Sequence, residues 1–355
     1  MRVLLLTRYE RLGSSSRVRF FQYIPYLTTH GMEIVPAPFF NDDYVRNLYA
    51  GHQISLKTVL SAYLKRLSAL AGSTSFDLLW IEKELFPWMP AWFETLFHIL
   101  NIPYIVDYDD AIFHRYDRHG SLLVRALLGR KIDSIMRQAS MVIAGNEYLA
   151  ERAVKAGSKN VEYLPSVVDV SQYMMTEPIS NSIFRIGWIG APITALYLDL
   201  MRDAIELLSQ ESKVHLVLIG AGRIQPFPNV SMEILPWSED IERGLSQKFD
   251  VGIMPLVDGL FERGKCGYKL IQYMASSLPV VASPVGVNQQ IVEPRVNGYL
   301  AASSQEWFTA LRDLRDDIQK RKMMGQAGRQ KAEQMYNLQV TAPKLLTLLS
   351  SLTKT

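Results

Sequence analysis

Short apolar segments alternate with amphipathic helical segments along almost the whole chain. Residues 2–7 (RVLLLT) are followed by a polar loop and by a helical pattern that ends at Gly31. Each further apolar segment of the first half is four to six residues long, as expected for a buried strand; these segments lie at 33–37, 77–82, 103–107, 140–144 and 161–164. Strands that alternate with helices predict a parallel sheet with helices on both faces.

The alternation stops at residues 165–182, which contain two prolines and a polar tail, and then starts again. Strand patterns lie at 184–189, 214–219, 231–235, 249–254 and 279–282, with helical patterns near 194–209, 266–277, 304–335 and 341–351. The sequence therefore predicts an α/β protein with two Rossmann-like, doubly wound domains, over 1–170 and 171–335, and a last helix within 336–355. Sheets of this kind bind ligands at the carboxyl ends of their strands, which predicts a site in a cleft between the domains.

Composition narrows the possible functions. The 38 basic and 35 acidic residues leave a net charge of only +3, which gives no indication of nucleic-acid binding. The single cysteine, Cys266, excludes an internal disulfide and a multi-cysteine metal site, and favours a reducing compartment. No apolar stretch reaches the ~18 residues of a spanning helix, and no secretion signal is recognisable. We therefore expect a soluble, cytoplasmic protein.

The segment 249–286 carries the most information about chemistry. A strand pattern ends at Pro255, a charged glycine-containing loop follows, and a helix is predicted to begin near Cys266. Lys265, Lys269 and Gln272 would share the polar face of that helix. Unpaired N–H groups at a helix start, flexible glycines and two lysines would suit a diphosphate, although a capped helix with solvated lysines gives the same pattern.

Residues 259–266 (GLFERGKC) nearly match the phosphate-loop pattern G-x-x-x-x-G-K-[ST]. Cys266 replaces the hydroxyl residue that normally binds magnesium, and a thiol is a poor ligand for a hard cation. A phosphate-loop ATPase therefore remains a minor alternative, and magnesium-dependent ATP turnover would support it.

The same region resembles the C-terminal signature of glycosyltransferase family 4, the retaining GT-B glycosyltransferases. The matching stretches, which together span most of the chain, are 146–151 (NEYLAE), 164–169 (LPSVVD), 186–190 (IGWIG), 216–222 (LVLIGAG), 267–286 (GYKLIQYMASSLPVVASPVG) and 291–301 (IVEPRVNGYLA). The resemblance implies an enzyme that transfers a sugar, with retention of configuration, from a nucleotide sugar, with UDP preferred, to a glycan or lipid-linked acceptor in polysaccharide biosynthesis. It also implies donor binding by the C-terminal domain, acceptor binding by the N-terminal domain, a last helix that packs back towards the N-terminal domain, and no metal or other cofactor.

The resemblance also implies which residues form the donor site. The predicted donor-binding residues are Gly13, Ser14, Gly190, Pro192, Trp237, Glu262, Gly264, Cys266, Gly267, Tyr268, Lys269 and Gln272. Two positions where the family carries glutamates are Gly264 and Gln272 here; Glu262 would replace the first, and the amide of Gln272 can still bond ribose hydroxyls.

The phosphate-binding cations of the family are also replaced, because Ala191 and Leu196 stand near their positions. Charge that develops on the leaving diphosphate still needs stabilisation by fixed cations or N–H groups. Lys265 is therefore the first candidate for this catalytic role, followed by Arg263 and Lys269, whereas an exposed and solvated Lys265 is the alternative.

Three acidic residues, Asp107, Asp109 and Asp110, follow the strand pattern at 103–107. We interpret Asp109 as catalytic and Asp107 and Asp110 as acceptor-side residues, with His114 a weaker candidate; the alternative is that the acids cap the next helix. Asp107 and Asp109 also spell D-x-D, a metal-binding pattern of a different, single-domain transferase fold, so we expect no metal site here.

Residues 111–137 carry six basic and two acidic residues and an apolar stripe. Such a stretch can contact an anionic membrane surface, or it can be an ordinary helix with one face in the core. Two other functions stay open: a catalytically impaired GT-B binding subunit, which would release no UDP, and a nucleotide-sugar epimerase or phosphorylase. An epimerase would convert the donor without any acceptor.

Overall fold

The structure is a computed structural model that describes residues 1–176 and 183–352. Its contacts divide the chain into two compact units. Unit 1 consists of Met1–Ser166, Arg263–Cys266 and Leu338–Thr355, whereas unit 2 consists of Val167–Glu262 and Gly267–Asn337. Residues 177–182 of the predicted linker and 353–355 of the predicted last segment lie outside the described residues.

Unit 1 is built on a six-stranded parallel sheet with the strand order β2-β1-β3-β4-β5-β6. The strands are β1 (Arg2–Leu6), β2 (Glu33–Pro36), β3 (Leu78–Glu82), β4 (Tyr104–Tyr108), β5 (Met141–Ala144) and β6 (Val161–Tyr163). The helices are α1 (Ser14–Arg19), α2 (Ile24–Thr29), α3 (Asp42–Tyr49), α4 (Leu56–Ala71), α5 (Trp92–Ile99), α6 (His114–Asp117), α7 (Leu122–Leu128), α8 (Lys131–Gln138), α9 (Glu147–Ala156) and α18 (Leu338–Ser350).

Unit 2 contains a second six-stranded parallel sheet, with the order β12-β11-β10-β7-β8-β9. The strands are β7 (Phe184–Ile189), β8 (Val214–Ile219), β9 (Ser231–Leu235), β10 (Val251–Met254), β11 (Val280–Ala282) and β12 (Gly298–Leu300). The helices are α10 (Pro192–Ala195), α11 (Arg202–Glu211), α12 (Glu239–Arg243), α13 (Leu260–Arg263), α14 (Tyr268–Ala275), α15 (Asn288–Ile291), α16 (Ser304–Asp316) and α17 (Ile318–Met335). The last residue of α13, Arg263, is counted with unit 1.

The central strands are buried on both faces, which explains their continuous apolar sequences. All five residues of β3 and of β4 are buried, including Trp80, and so are residues 3–6 of β1. In unit 2, Ile186 and Trp188 of β7 pack in one cluster with Leu208 of α11 and Trp307 of α16. The fold class predicted from the alternation is therefore confirmed, with one doubly wound sheet in each unit.

The structure corrects several element boundaries. The first helical pattern is divided into α1, a 3₁₀ turn at Phe21–Tyr23 and α2, and the pattern at 304–335 is divided into α16 and α17. Strand β12 was not predicted, because it is only three residues long and two of them are half-buried.

The basic stretch 111–137 is also not one amphipathic helix. It contains α6, α7 and most of α8. Ile132 and Ile135 of α8 are buried in unit 1, whereas Leu122, Leu123 and Leu127 of α7 are 66–75% exposed. Only the α7 part therefore offers an exposed apolar surface. No helix within 1–176 or 183–352 is long and apolar enough to cross a membrane.

Candidate active site

The strand order of unit 1 identifies the edge at which a ligand would bind. The order reverses between β1 and β3, and ligands of doubly wound sheets bind outside the carboxyl ends of the strands at such a reversal. The β1 strand leads to the start of α1 at Gly13–Ser16, β3 is followed by Lys83, and β4 is followed by Asp109 and Asp110. Because β1, β3 and β4 are neighbours, their following residues meet at one edge.

Lys83 is the centre of this cluster. Its ammonium lies 2.7 Å from Asp109 and 3.6 Å from Asp110, and it donates to Ser15 Oγ at 3.1 Å. The Ser15 hydroxyl also donates to Asp109. The backbone of Lys83 is in the left-handed region with φ 64°, which is unusual for a residue with a Cβ and accompanies functional sites in many proteins.

The electrostatics of the cluster favour its charged forms. Burial disfavours the ammonium of Lys83, but Asp109, Asp110 and Glu82 outweigh burial and raise the pKa of Lys83. Burial likewise opposes ionisation of Asp109, but Lys83 and the hydroxyl of Ser15 outweigh it and lower the pKa of Asp109. Asp109 is therefore held as a carboxylate at the sheet edge.

The segment 263–266 brings Lys265 to the same cluster. The amide of Asn146 donates to the backbone oxygens of Arg263 and Lys265, at 3.4 and 3.0 Å, while its oxygen caps α9. The ammonium of Lys265 lies 3.8 Å from Asp110, with 18% of its side chain exposed. Of the candidate catalytic cations in this segment, Lys265 is half-buried beside an acidic residue, whereas Arg263 is exposed.

Close packing explains the residue types next to Lys265. A Cβ on Gly264 would lie 2.5 Å from that of Ala111, so no larger residue fits without a shift of the backbone. The thiol of Cys266 is buried and donates to the backbone oxygen of Asp109 at 3.2 Å. Burial raises the pKa of this thiol well above its usual value. Gly264 and Cys266, which were predicted to bind the sugar donor, therefore pack closely within unit 1.

Asp107 does not lie where an acceptor could contact it. Its carboxylate accepts from Nε and Nη2 of Arg19 at 2.8 and 3.1 Å, and only 1% of the side chain is exposed. The interpretation of Asp107 as an acceptor-side residue requires an accessible carboxylate, and the structure instead buries that carboxylate against Arg19. The carboxylates of the D-x-D pattern also bind two different cations, because Asp109 pairs with Lys83.

His114 lies one turn beyond the acids, in α6. Its Nδ1 is 2.8 Å from Asp117 and its Nε2 is 2.7 Å from the hydroxyl of Tyr148. Both ring nitrogens thus have partners within unit 1. We accordingly attribute to His114 a role in fixing α6 against α9, and the structure does not bring it to the Lys83 cluster.

Unit 2 has its own reversal of strand order, between β7 and β10. Gly190 directly follows β7, and a Cβ there would lie 2.5 Å from the Trp188 ring and 2.8 Å from Cε of Lys269. The ammonium of Lys269 is 5.3 Å from the centre of that ring. Gly190 therefore makes room for the lysine of α14 at the carboxyl end of β7, while Pro192 begins α10 just beyond.

Glu242 of α12 organises the polar groups near α14. Its carboxylate accepts from Trp237 Nε1 at 2.9 Å, from Tyr173 at 2.8 Å and from Tyr268 at 3.1 Å. Burial, together with Tyr268 and Glu242, raises the pKa of Tyr173 well above its usual value. The network links the predicted donor residues Trp237 and Tyr268, and the sequence interpretation had missed Glu242.

The predicted polar face of α14 is wrong in two respects. The helix begins at Tyr268, after Gly267 in a left-handed conformation with φ 66°, so Lys265 precedes it. Gln272 is buried, with 3% of its surface exposed. Glu262 accepts from the hydroxyl of Tyr197 within unit 2. The structure thus keeps Tyr268, Lys269 and Gln272 together on α14, with Gly267 as its N-cap, whereas Lys265 precedes the helix.

At the amino-terminal edge of the first cluster, Gly13 and Ser14 flank Ser15. Gly13 is buried and packs so closely on Tyr9 that a Cβ would lie 2.3 Å from that of Tyr9. Ser14 is exposed at the start of α1. Lys83 was missed by the sequence interpretation, and the available signal was its position directly after β3 next to the reversal of strand order.

Residues 183–317 match the family model of Glycosyl transferases group 1. The matched range contains β7, Glu242 with its partners Trp237 and Tyr268, and also Lys265, Lys269 and Gln272, whereas Tyr173 precedes the range. No curated protein sequence is similar enough to the chain to match it.

Solved structures resemble the chain over its whole length. HepE from Anabaena in complex with UDP-glucose has a TM-score of 0.73 at 17% identity, over 99% of this chain and 100% of that one. Sucrose-phosphate synthase from Thermosynechococcus elongatus has a TM-score of 0.71 at 13% identity, over 99% of each chain. WaaG, a glycosyltransferase of lipopolysaccharide biosynthesis, has a TM-score of 0.65 at 13% identity, over 98% of this chain and 100% of that one. The fold is GT-B, and, with its group 1 domain at residues 183–317, the protein is a glycosyltransferase.

Proposed function

We propose that the protein is a retaining glycosyltransferase of family 4 that transfers a sugar from a UDP-sugar, without a metal ion, to a glycan or lipid-linked acceptor in polysaccharide biosynthesis. The observation that carries this proposal is the match of residues 183–317 to the group 1 family, because this range contains the predicted donor residues of unit 2. HepE, one of the similar structures, was solved with UDP and with UDP-glucose.

The donor part of the proposal rests on the start of α14. The first N–H groups of a helix have no partner in the helix, and they and the helix dipole favour an anion. Lys269 lies in the first turn of α14 and is held over Trp188 beside Gly190. A diphosphate at this point would meet the ammonium of Lys269 and several N–H donors. The Glu242 network holds Trp237 for the base and also fixes Tyr268. We assign the amide of Gln272 to the ribose hydroxyls.

The acceptor part rests on the Lys83 cluster of unit 1. Asp109 is held as a carboxylate by Lys83 and Ser15, and Asp110 lies between Lys83 and Lys265. A carboxylate at the sheet edge can accept a hydrogen bond from an acceptor hydroxyl or stabilise positive charge on the sugar in the transition state. We assign these roles to Asp109 and place Asp110 on the acceptor side. We also propose that unit 1 contacts a membrane, on the cytoplasmic side, through the exposed part of 111–137.

We expect UDP to stabilise the protein without added metal. Ligands that bind only the native state raise its stability by RT ln(1 + [L]/Kd), which is about 2.7 kcal/mol at a hundred times the Kd. Thermal unfolding with a panel of nucleoside diphosphates, each with EDTA and with manganese, measures this effect. Stabilisation by UDP that required manganese would contradict the proposal. Within 1–176 and 183–352, no three His, Cys, Asp or Glu side chains are grouped to hold a metal ion.

The role proposed for Gln272 predicts a loss of UDP affinity on substitution. Gln272→Leu keeps the volume but removes both hydrogen-bonding groups, so UDP binding should weaken by about 1–3 kcal/mol, or roughly 5- to 150-fold. Gln272→Glu keeps an acceptor and is the matched control. Calorimetric titration with UDP measures both variants, and an unchanged affinity of Gln272→Leu would remove this residue from the donor site.

A GT-B subunit that binds a nucleotide sugar without transferring it is the second candidate. It is favoured by Ala191 and Leu196, which stand near the positions of the phosphate-binding cations of family 4; Leu196 is 58% exposed. Release of UDP from a UDP-sugar in the presence of an acceptor distinguishes the two. The anomeric configuration of the product, read by proton NMR, tests retention.

A further inference from the structure

Unit 1 exposes leucine side chains along α4 from Leu56 to Leu67. Leu56, Leu60, Leu64 and Leu67 recur every three or four residues and therefore share one face. They are 86%, 62%, 58% and 40% exposed, whereas Ala62, Arg66 and Leu70 on the other face are buried. A continuous apolar stripe of this kind is unusual on a protein surface and marks a place of interaction.

A second apolar surface lies between α5 and α7. A groove of about 650 Å³ separates them, and the apolar part of its lining includes Trp92, Leu96, Ile99 and Leu127. Trp92 and Ile99 are 65% and 67% exposed. The hydroxyl of Thr95 in α5 donates to Gln138 of α8 at 3.0 Å, which fixes one wall of the groove.

The two surfaces are neighbours in unit 1. The hydroxyl of Tyr63, in α4, donates to the backbone oxygen of Pro87, and the ring of Tyr63 stacks on Phe86 at 5.7 Å. This joins α4 to the segment that leads into α5 and that carries the half-exposed Trp88. The "apolar face" of unit 1 is defined here as the exposed side chains of α4, Trp88, α5 and α7.

The charges on this face have one sign. Helices α4 and α7 contain no acidic residue, and Glu94, the one acid of α5, is buried and accepts from the N–H of Leu85 at 3.0 Å. Lys57 and Lys65 are exposed on α4, and Arg125 and Arg130 line the groove. The third basic residue of the groove, Lys131, is neutralised by Glu84 at 2.5 Å.

We propose that this apolar face binds the surface of an anionic lipid bilayer. Leucines and tryptophans flanked by lysines and arginines are the composition of segments that lie in a membrane interface, with tryptophan at the level of the headgroups. A second copy of the chain is a poorer occupant, because two such faces would bring like charges together with no acidic partner. The inference enlarges the membrane contact proposed for 111–137 and is independent of the donor site.

Binding of the full chain to vesicles tests this inference. We expect co-sedimentation with vesicles of phosphatidylcholine and phosphatidylglycerol in equal parts, weak binding to phosphatidylcholine alone, and release by salt. Leu60→Ser/Leu64→Ser should lower the partition coefficient by at least ~10-fold, because burial of each leucine is lost. Its control is Val154→Ser/Leu207→Ser, at positions that are exposed on α9 and α11.

A second pair of variants tests the charges. Lys65→Glu/Arg130→Glu should weaken binding by roughly 30-fold or more, since each basic residue near an anionic surface contributes about fivefold. The same charge change at Lys155→Glu/Lys159→Glu, on and beside α9, should leave binding near that of the wild type. Circular dichroism and thermal unfolding check that each variant is folded.

Several results would overturn the proposal. These are an absence of binding to the anionic vesicles, equal losses in the control variants, or a dimer in light scattering that Leu60→Ser/Leu64→Ser converts to a monomer. The last result would assign the face to a second copy. Because vesicle binding needs no donor, it can fail while UDP release persists, or persist in a variant that no longer releases UDP.

Discussion

Lys265→Ala is expected to lower kcat by about 100- to 1,000-fold. Cleavage of the sugar–phosphate bond builds negative charge on the leaving diphosphate, and removal of one fixed group that stabilises such charge costs about 3–4 kcal/mol. Lys265 lies two residues before the N-cap of α14, and its side chain is largely buried beside Asp110. Initial rates of UDP release at saturating donor and acceptor measure the effect.

The controls for Lys265 separate charge from fold. Lys265→Arg keeps the cation and should recover part of the rate, and Lys213→Ala removes an exposed lysine elsewhere and should leave the rate unchanged. The thermal midpoint should change little, because an ion pair at 3.8 Å with Asp110 32% exposed contributes at most ~1 kcal/mol. Near-normal turnover of Lys265→Ala would exclude this role and transfer it to Arg263 or Lys269.

Lys83→Met is expected to destabilise the protein by about 3–5 kcal/mol, because it leaves Asp109 as a buried charge without its partner. Lys83 is 8% and Asp109 16% exposed, so water can replace little of the lost interaction. The free energy of unfolding, from urea titrations at several pH values, measures this. At neutral pH the full decrease of about 3–5 kcal/mol in the free energy of unfolding should be observed.

The pH dependence of that loss follows from the shift of Asp109. Lys83 lowers the pKa of Asp109 in the folded protein, so the contribution of the pair is present above the ordinary pKa of an aspartate and is lost as the pH falls through the lowered value. Wild type and Lys83→Met should therefore converge in acid. Adding Asp109→Asn to Lys83→Met should restore part of the stability, because it removes the unpaired buried charge. If the double variant were no more stable than Lys83→Met, Lys83 and Asp109 would not be coupled.

Local pattern was sufficient to predict most strands. The segments 184–189 and 214–219 coincide with β7 and β8, because strands buried in a parallel sheet have mainly apolar sequences. The segment 231–235 coincides with β9, an edge strand whose residues are half-buried or exposed. The position of α14 was less accurate. The helix begins at Tyr268, after the left-handed Gly267, which is two residues later than the predicted start near Cys266. Lys265 therefore does not share a helix face with Lys269 and Gln272.

The unit 1 cluster could be predicted only in part. The acids after β4 stand out in the sequence, but Lys83 is 26 residues before Asp109 and is brought to it by the pairing of β3 with β4. Sequence spacing carries no information on such pairing. The burial of Asp107 was missed for the same reason, since Arg19 comes from α1.

The division of unit 1 into three chain segments has a consequence for protein synthesis. Tyr23 is buried, and its hydroxyl lies 3.1 Å from that of Thr341 in α18, where Leu345 and Leu349 are also fully buried. Domains that emerge early usually fold while the ribosome is still translating. Here the surface that α18 covers stays open until α18 itself has been translated, so the nascent chain must keep that apolar surface away from other chains while the residues between α2 and α18 are made.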